Sequence, residues 1–130
     1  MKTKKPIFNK VSPNLLDAMP YQYIGKDILV NIETDEFTCL CPWTGLPDYA
    51  HLIVRYTPDK TVVELKSFKM YLQTYRMVGI VHESAVNKVK EDLIKALKPK
   101  NMFIELKFGV RGGIITTVSA QYEKGKNNVQ

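Results

Sequence analysis

Phe37-Thr38-Cys39-Leu40-Cys41-Pro42-Trp43-Thr44-Gly45-Leu46-Pro47-Asp48 is the stretch from which the chain is best read. An apolar, strand-like run precedes it and another, Ala50 to Tyr56, comes after it. Two prolines, one glycine and both cysteines of the chain fall between those runs. The pattern is strand, loop, strand. Loops carried between rigid strands are where reactive groups commonly sit, because the scaffold positions them without burying loop backbone. Cys41 is the candidate nucleophile and Asp48 the candidate acid.

Outward from that loop, Ile28 to Asp35 becomes alternating toward its end and reads as a strand, which leaves residues 36–48 as the reactive loop. His51 to Tyr56 forms a second strand, and Pro58-Asp59-Lys60 is turn chemistry. Thr61 to Leu65 is a third run, rich in β-branched residues and carrying Glu64. Phe68, Tyr71, Leu72 and Tyr75 then recur at helical spacing on one face. A second helix fits residues 84–97, with Ser84 as a cap, although His82 or Glu83 could begin the turn. Val86, Val89, Leu93 and Leu97 make its apolar stripe, and Lys88, Lys90, Glu91, Asp92 and Lys95 its wet side. Pro99 stops it.

Met102 to Phe108 alternates strongly, and Gly112-Gly113 leads into Ile114 to Tyr122, so the chain closes on a hairpin. Residues 1–27 hold three prolines without a clear period and read as an N-terminal arm or edge segment. Residues 28–122 read as one domain and 123–130 as a polar tail. Strands, two helices, then strands make an α+β arrangement: an antiparallel sheet with helices on one face. Pairing of its exposed edges between subunits is one way to cover them.

A chain of 130 residues has room for one core, and 45% apolar and 25% charged residues are ordinary for a soluble globular protein. No apolar run approaches the roughly 20 residues that span a bilayer. The basic start, Met1 to Pro6, lacks an apolar region behind it and does not read as a secretory signal. Two cysteines one residue apart make a poor disulfide framework, which favours a cytoplasmic chain with reduced thiols. The net charge of +6 suits an anionic partner without naming one.

Each candidate has a plainer alternative. Cys41 could be an inert buried thiol, although a turn rich in Pro and Gly tends to expose what it carries. Cys39 reads as a core residue. Glu64 and Glu83 could receive paired N–H donors from a guanine-like edge, or be surface carboxylates. His82, beside Glu83, could be a helix-end histidine. Lys66, Lys69 and Arg111 could clamp phosphate, Arg111 beside glycines that admit a ligand, or form a solvated basic face.

Four ordered blocks, Cys41-Pro42-x-Thr44-Gly45-x-Pro47-Asp48, Glu64-Leu65-Lys66-Ser67-Phe68-Lys69-x-Tyr71, His82-Glu83 and Arg111-Gly112-Gly113, together resemble the NADPH-dependent 7-cyano-7-deazaguanine reductases of queuosine biosynthesis. The likeness is to their short, single-module type (the QueF family) and covers roughly residues 28–120. It implies a tunnelling fold (T-fold): a four-stranded antiparallel sheet with two helices, whose subunits close into barrels and stack with active sites at their interfaces. It implies that Cys41 attacks the nitrile to form a thioimide, with Asp48 as proton donor. Glu64, His82 and Glu83 would hold the deazaguanine, and Lys66, Ser67, Lys69, Arg111 and Gly112 the NADPH. The departures from the family pattern are Met70 and the stretch Tyr75 to Val81, which lacks a customary asparagine.

Two other readings stand beside the reductase. Archaeal relatives form an archaeosine-type amidine on tRNA bearing the same nitrile, and only that reading brings in a nucleic acid. A zinc cyclohydrolase would need Cys39, Cys41 and a histidine as ligands. The expected metal set is none.

Overall fold

The computed structural model describes residues 10–126. After a 3-10 turn at Pro13–Leu15 come β1 (Ala18–Pro20), β2 (Val30–Leu40), β3 (Pro47–Thr57) and β4 (Thr61–Val63). They are followed by α1 (Leu65–Gln73), α2 (His82–Leu97), β5 (Asn101–Phe108) and β6 (Thr117–Glu123). Four strands form an antiparallel sheet in the order β2-β3-β5-β6, while β1 and β4 pair separately. The α+β class read from the sequence is what the chain adopts. The segment expected as an arm contributes β1, and its first nine residues lie outside the described ones, as do residues 127–130 of the expected tail.

Alternation builds the core. Asp48, Ala50, Leu52, Val54 and Tyr56 of β3 are buried, as are Met102, Ile104, Leu106 and Phe108 of β5, because every second side chain of a strand faces the same way. Against this face lie the buried stripe of α2 (Ala85, Val86, Val89, Leu93, Leu97) and that of α1 (Phe68, Tyr71, Leu72). Tyr75 packs with them from the turn after α1, its ring 5.1 Å from Phe37.

The expected loop of residues 36–48 is much shorter. β2 continues to Leu40 and β3 begins at Pro47, so the connection is residues 41–46. Its extent was hidden by a bulge: Thr34 pairs with Leu52 but Phe37 with Ala50, one extra residue on β2. An inserted residue reverses the inward parity of the strand beyond it. Ile32 and Thr34 therefore give way to Phe37 and Cys39 as inward positions, and the period breaks although the strand goes on.

Three further expectations are corrected. Glu64 lies on no strand; it is the N-cap of α1, its carboxylate accepting from the backbone N–H of Lys66 and Ser67, both at 2.8 Å. Ser84 caps nothing: α2 starts at His82 after an extended Val81. Asp92 is not on a wet side. It is 8% exposed and accepts from Tyr71 Oη at 2.6 Å and Lys88 Nζ at 2.9 Å. Tyr71 Oη also meets Tyr75 Oη at 2.7 Å, a polar chain through the helix layer.

The connection from α1 to α2 is strapped to the end of β2. Leu40 donates its N–H to Val78 O at 2.9 Å, and its carbonyl accepts from Ile80 N at 3.1 Å. A Cβ on Gly79 would stand 3.4 Å from Pro42 Cα. Among the described residues no helix is long and apolar enough to cross a membrane.

Candidate active site

Cys41 opens the tight connection between β2 and β3. Its N–H donates to Leu46 O and its carbonyl accepts from Gly45 N, both at 2.8 Å, with Gly45 at φ +71°. A residue other than glycine would be strained in that left-handed conformation. The fold of the turn brings the Thr44 hydroxyl and the backbone N–H groups of Thr44 and Trp43 to the Cys41 sulfur. These donors, the Thr44 hydroxyl foremost, lower the thiol pKa against the opposing effects of desolvation and the Asp48 charge. Stabilised thiolate is the nucleophilic form.

Cys39, two residues earlier, is the contrast. It is fully buried, its Sγ 4.0 Å from Ile80 O, and burial pushes its pKa up to about 12. The surroundings of the two thiols therefore shift them in opposite directions.

Asp48 pairs with Cys39 across the β2–β3 ladder and is 9% exposed. Arg111 Nη2 forms an ion pair with its Oδ1 at 2.8 Å, and His82 Nε2 lies 3.3 Å from its Oδ2. Arg111 comes from the β5–β6 connection and also donates to Pro47 O at 2.7 Å. His82 is the first residue of α2, and its ring stacks on Phe108. Together Cys41, Trp43, Asp48, His82, Glu83 and Arg111 line a cleft of about 240 Å³. Trp43, at 83% exposed, stands at its rim.

The structure thus brings together Cys41, Asp48, His82 and Glu83. It adds Arg111, expected among the phosphate ligands, as the partner of the acid, with Gly112 (φ +60°) beside it in an open turn. Glu64, Lys66, Ser67 and Lys69 do not line this cleft. Ser67 is buried, its hydroxyl accepting from Asp17 N at 2.9 Å and donating to Glu64 O at 2.7 Å. Lys69 borders a separate groove of about 230 Å³ between α1 and β2, with Ile32, Leu65 and Phe68.

Two contacts were missed in the sequence: the Arg111–Asp48 pair and the His82–Phe108 stack. Alternation puts Phe108 inward but cannot say what it meets; only the topology brings α2 to the end of β5. Among the described residues no three His, Cys, Asp or Glu side chains are arranged to hold a metal ion. The other histidine, His51, is on the opposite face of the sheet between Asp35 (2.6 Å) and Glu33 (2.8 Å).

Comparison with known proteins shows which family the chain resembles. A family model described as "QueF-like protein" matches residues 47–127, a span that holds Asp48, His82, Glu83 and Arg111. The NADPH-dependent 7-cyano-7-deazaguanine reductase of Caldicellulosiruptor bescii is 50% identical over 117 residues, 90% of this chain and 89% of that protein. The reductase of the same name from Thermoanaerobacter pseudethanolicus is 48% identical over 119 residues, 92% of this chain and 90% of its own. Spans of that length in a chain of 130 necessarily include Cys41. Among solved structures, the apo form of the archaeosine synthase QueF-Like superposes with a TM-score of 0.67 at 26% identity, covering 72% of this chain and 91% of that one.

Proposed function

This chain belongs to the QueF-like protein family, and we propose that its Cys41 cleft is where the nitrile of 7-cyano-7-deazaguanine is reduced to the primary amine of 7-aminomethyl-7-deazaguanine, a step of queuosine biosynthesis. The enzyme is an NADPH-dependent oxidoreductase, as its relatives of about half identity are named. The observation that carries this reading is an activated Cys41 thiol sharing one small cleft with a buried Asp48.

The Cys41 thiolate adds to the nitrile carbon, and the displaced electron pair on nitrogen takes a proton from Asp48. The product is a thioimide, and covalent capture divides a hard reduction into easier steps. NADPH, when bound, would supply the two hydrides, one molecule for each, that reduce this carbon to the amine level, with Cys41 leaving as the C–S bond breaks between them. His82, beside Asp48 Oδ2, is placed to restore the proton that Asp48 gives. Glu83 offers an acceptor for the ring N–H and exocyclic amine of the base.

Arg111 is half-exposed beside an open Gly112-Gly113 turn, a fitting place for a phosphate. Lys66 and Lys69 are exposed on α1 and offer two further cations, and Ser67 would line the approach. Since Glu64, Lys66, Ser67 and Lys69 lie away from the cleft of their own chain, we assign them to the cleft of a neighbouring copy. That assembly is the T-fold barrel, in which subunits join sheet edges. Strands β2 and β6, at the two ends of the sheet order, are the edges for it. Residues 28–122 would form the reductase domain of a cytoplasmic enzyme.

Mixing protein, the free nitrile base and NADPH should oxidise two NADPH per base consumed. With the base alone, intact mass should rise by one base on Cys41. Absence of both signals, with an amidine appearing instead on tRNA carrying the nitrile, would move the chain to the archaeosine activity of its structural neighbour.

A further inference from the structure

Trp43 is the single tryptophan of the chain and, at 83% exposed, has given little of its surface to the protein. A lone apolar side chain on a surface calls for no explanation. Trp43 differs in where it stands. It lines the Cys41 cleft two residues after the sulfur, and its own backbone N–H is one of the donors turned toward that sulfur. The turn that carries it is held at several points. Cys41 N–H meets Leu46 O and Gly45 N–H meets Cys41 O, both at 2.8 Å, and Leu46 N–H meets Thr44 Oγ1 at 3.2 Å. Pro42, whose ring fixes its φ, lies against Gly79. The indole is therefore a large flat surface on a rigid stem, with only two side-chain torsions left to order.

Such a surface has a use in this cleft. A flat ligand is oriented by polar groups at its edges and held by apolar or aromatic groups over its faces. Glu83 offers an edge acceptor, and Pro42, Ile80 and Val81 offer small apolar contacts. His82 brings the other ring of the lining, but one of its faces is taken by Phe108 at 3.6 Å. The indole is a fused bicycle with the outline of a deazaguanine, and its surface is uncommitted. Resting on the reductase reading above, we propose that Trp43 is a substrate-binding residue whose indole lies over one face of the deazaguanine when the nitrile reaches Cys41. Offset stacking is the arrangement two such rings prefer. Trp43 exchanges water for the base, and the base is held flat while its nitrile meets the sulfur.

Because the chain holds no other tryptophan, tryptophan emission reports on this side chain alone. With the nitrile base and no NADPH, that emission should be quenched in step with the rise in intact mass, whereas alkylating Cys41 with iodoacetamide should leave it near its starting level. In Cys41→Ala, calorimetry reads the non-covalent affinity for the base. Adding Trp43→Ala should lower that affinity on the order of tenfold, and Trp43→Phe should recover most of it. Melting temperature should stay put, since the indole is no part of the core. An adduct that forms with unchanged emission, or an affinity that Trp43→Ala leaves as it was, overturns the proposal. So does emission that is already that of a covered indole before base is added and stays so, which would seat Trp43 against a neighbouring copy. No wild-type adduct together with no NADPH oxidation would instead overturn the reductase reading, and this inference with it.

Discussion

The imidazole of His82 lies flat on the ring of Phe108, centroids 3.6 Å apart and planes within 7° of parallel. Phe108 is the last residue of β5 and 2% exposed. The inward alternation of that strand therefore ends in a plate that fixes the plane of His82 and presents Nε2 to Asp48 Oδ2. The stack joins the hydrophobic core to the proposed route of the proton.

Phe108→Leu keeps the position apolar but removes the plate. Thioimide formation should slow on the order of tenfold through misplacement of His82, while stability falls by about 1–3 kcal/mol. Phe108→Tyr should retain most of the rate. Intact mass and thermal melting separate the two effects, and an unaltered rate in Phe108→Leu would leave the stack a packing contact only.

The two thiols should differ sharply toward an alkylating agent at neutral pH. Cys41, its pKa lowered by the Thr44 and Trp43 donors, should be labelled first; Cys39, pushed up to about 12 by burial, should resist until the protein unfolds. Cys41→Ala should lose both the label and the base adduct, whereas Cys39→Ala should keep both. Peptide mapping of the labelled site decides it.

Glu64 is a cap before it is anything else. Glu64→Ala strips the acceptor from the Lys66 and Ser67 N–H groups and should cost about 0.5–2 kcal/mol, visible as a lower melting temperature. Glu64→Gln keeps one side-chain acceptor and should recover part of that loss. If Glu64 also holds the base in a neighbouring cleft, Glu64→Gln should weaken base binding more than its stability loss accounts for.

His51 should make stability depend on pH. Both ring nitrogens face carboxylates, and those bonds raise its pKa above the ordinary 6.5. A group with a raised folded-state pKa contributes stability in full below its unfolded value and loses it as pH climbs through the folded one. Glu33, whose pKa is lowered first by Asn31 and then by His51, contributes above the ordinary carboxylate value and loses it in acid. Melting should fall as the buffer passes from mildly acidic to mildly alkaline, and His51→Gln should flatten that slope.

Tyr71→Phe interrupts the buried chain from Tyr75 to Asp92. It leaves Asp92 Oδ2 without its 2.6 Å donor, a loss of about 1–3 kcal/mol. Denaturant unfolding should show it as a lower midpoint with no change in slope.

The regular periods were legible in the sequence. Leu52, Val54 and Tyr56, Met102 to Phe108, and the stripe from Val86 to Leu97 all declare a buried face by spacing alone. What spacing could not declare was each place where a single contact overrides the pattern. The bulge before Phe37 shifted the strand out of phase, so the end of β2 passed for loop. Asp92 looked wet because the tyrosine that buries it, Tyr71, comes from α1 rather than from its own helix. Cys41, Asp48, His82 and Glu83 were named from the chain, but the guanidinium that completes their cleft sits 63 residues beyond Asp48 and reaches it only through the sheet.

The strap between Leu40 and residues 78–80 ends against the residue that follows the proposed nucleophile, Cys41. Both backbone groups of Leu40 are tied to Val78 and Ile80, and Gly79 lies against Pro42. A random-mutagenesis screen for altered turnover should therefore return hits at Gly79. A branched side chain there would push on the residue next to the reactive sulfur while leaving every ligand-facing group chemically intact.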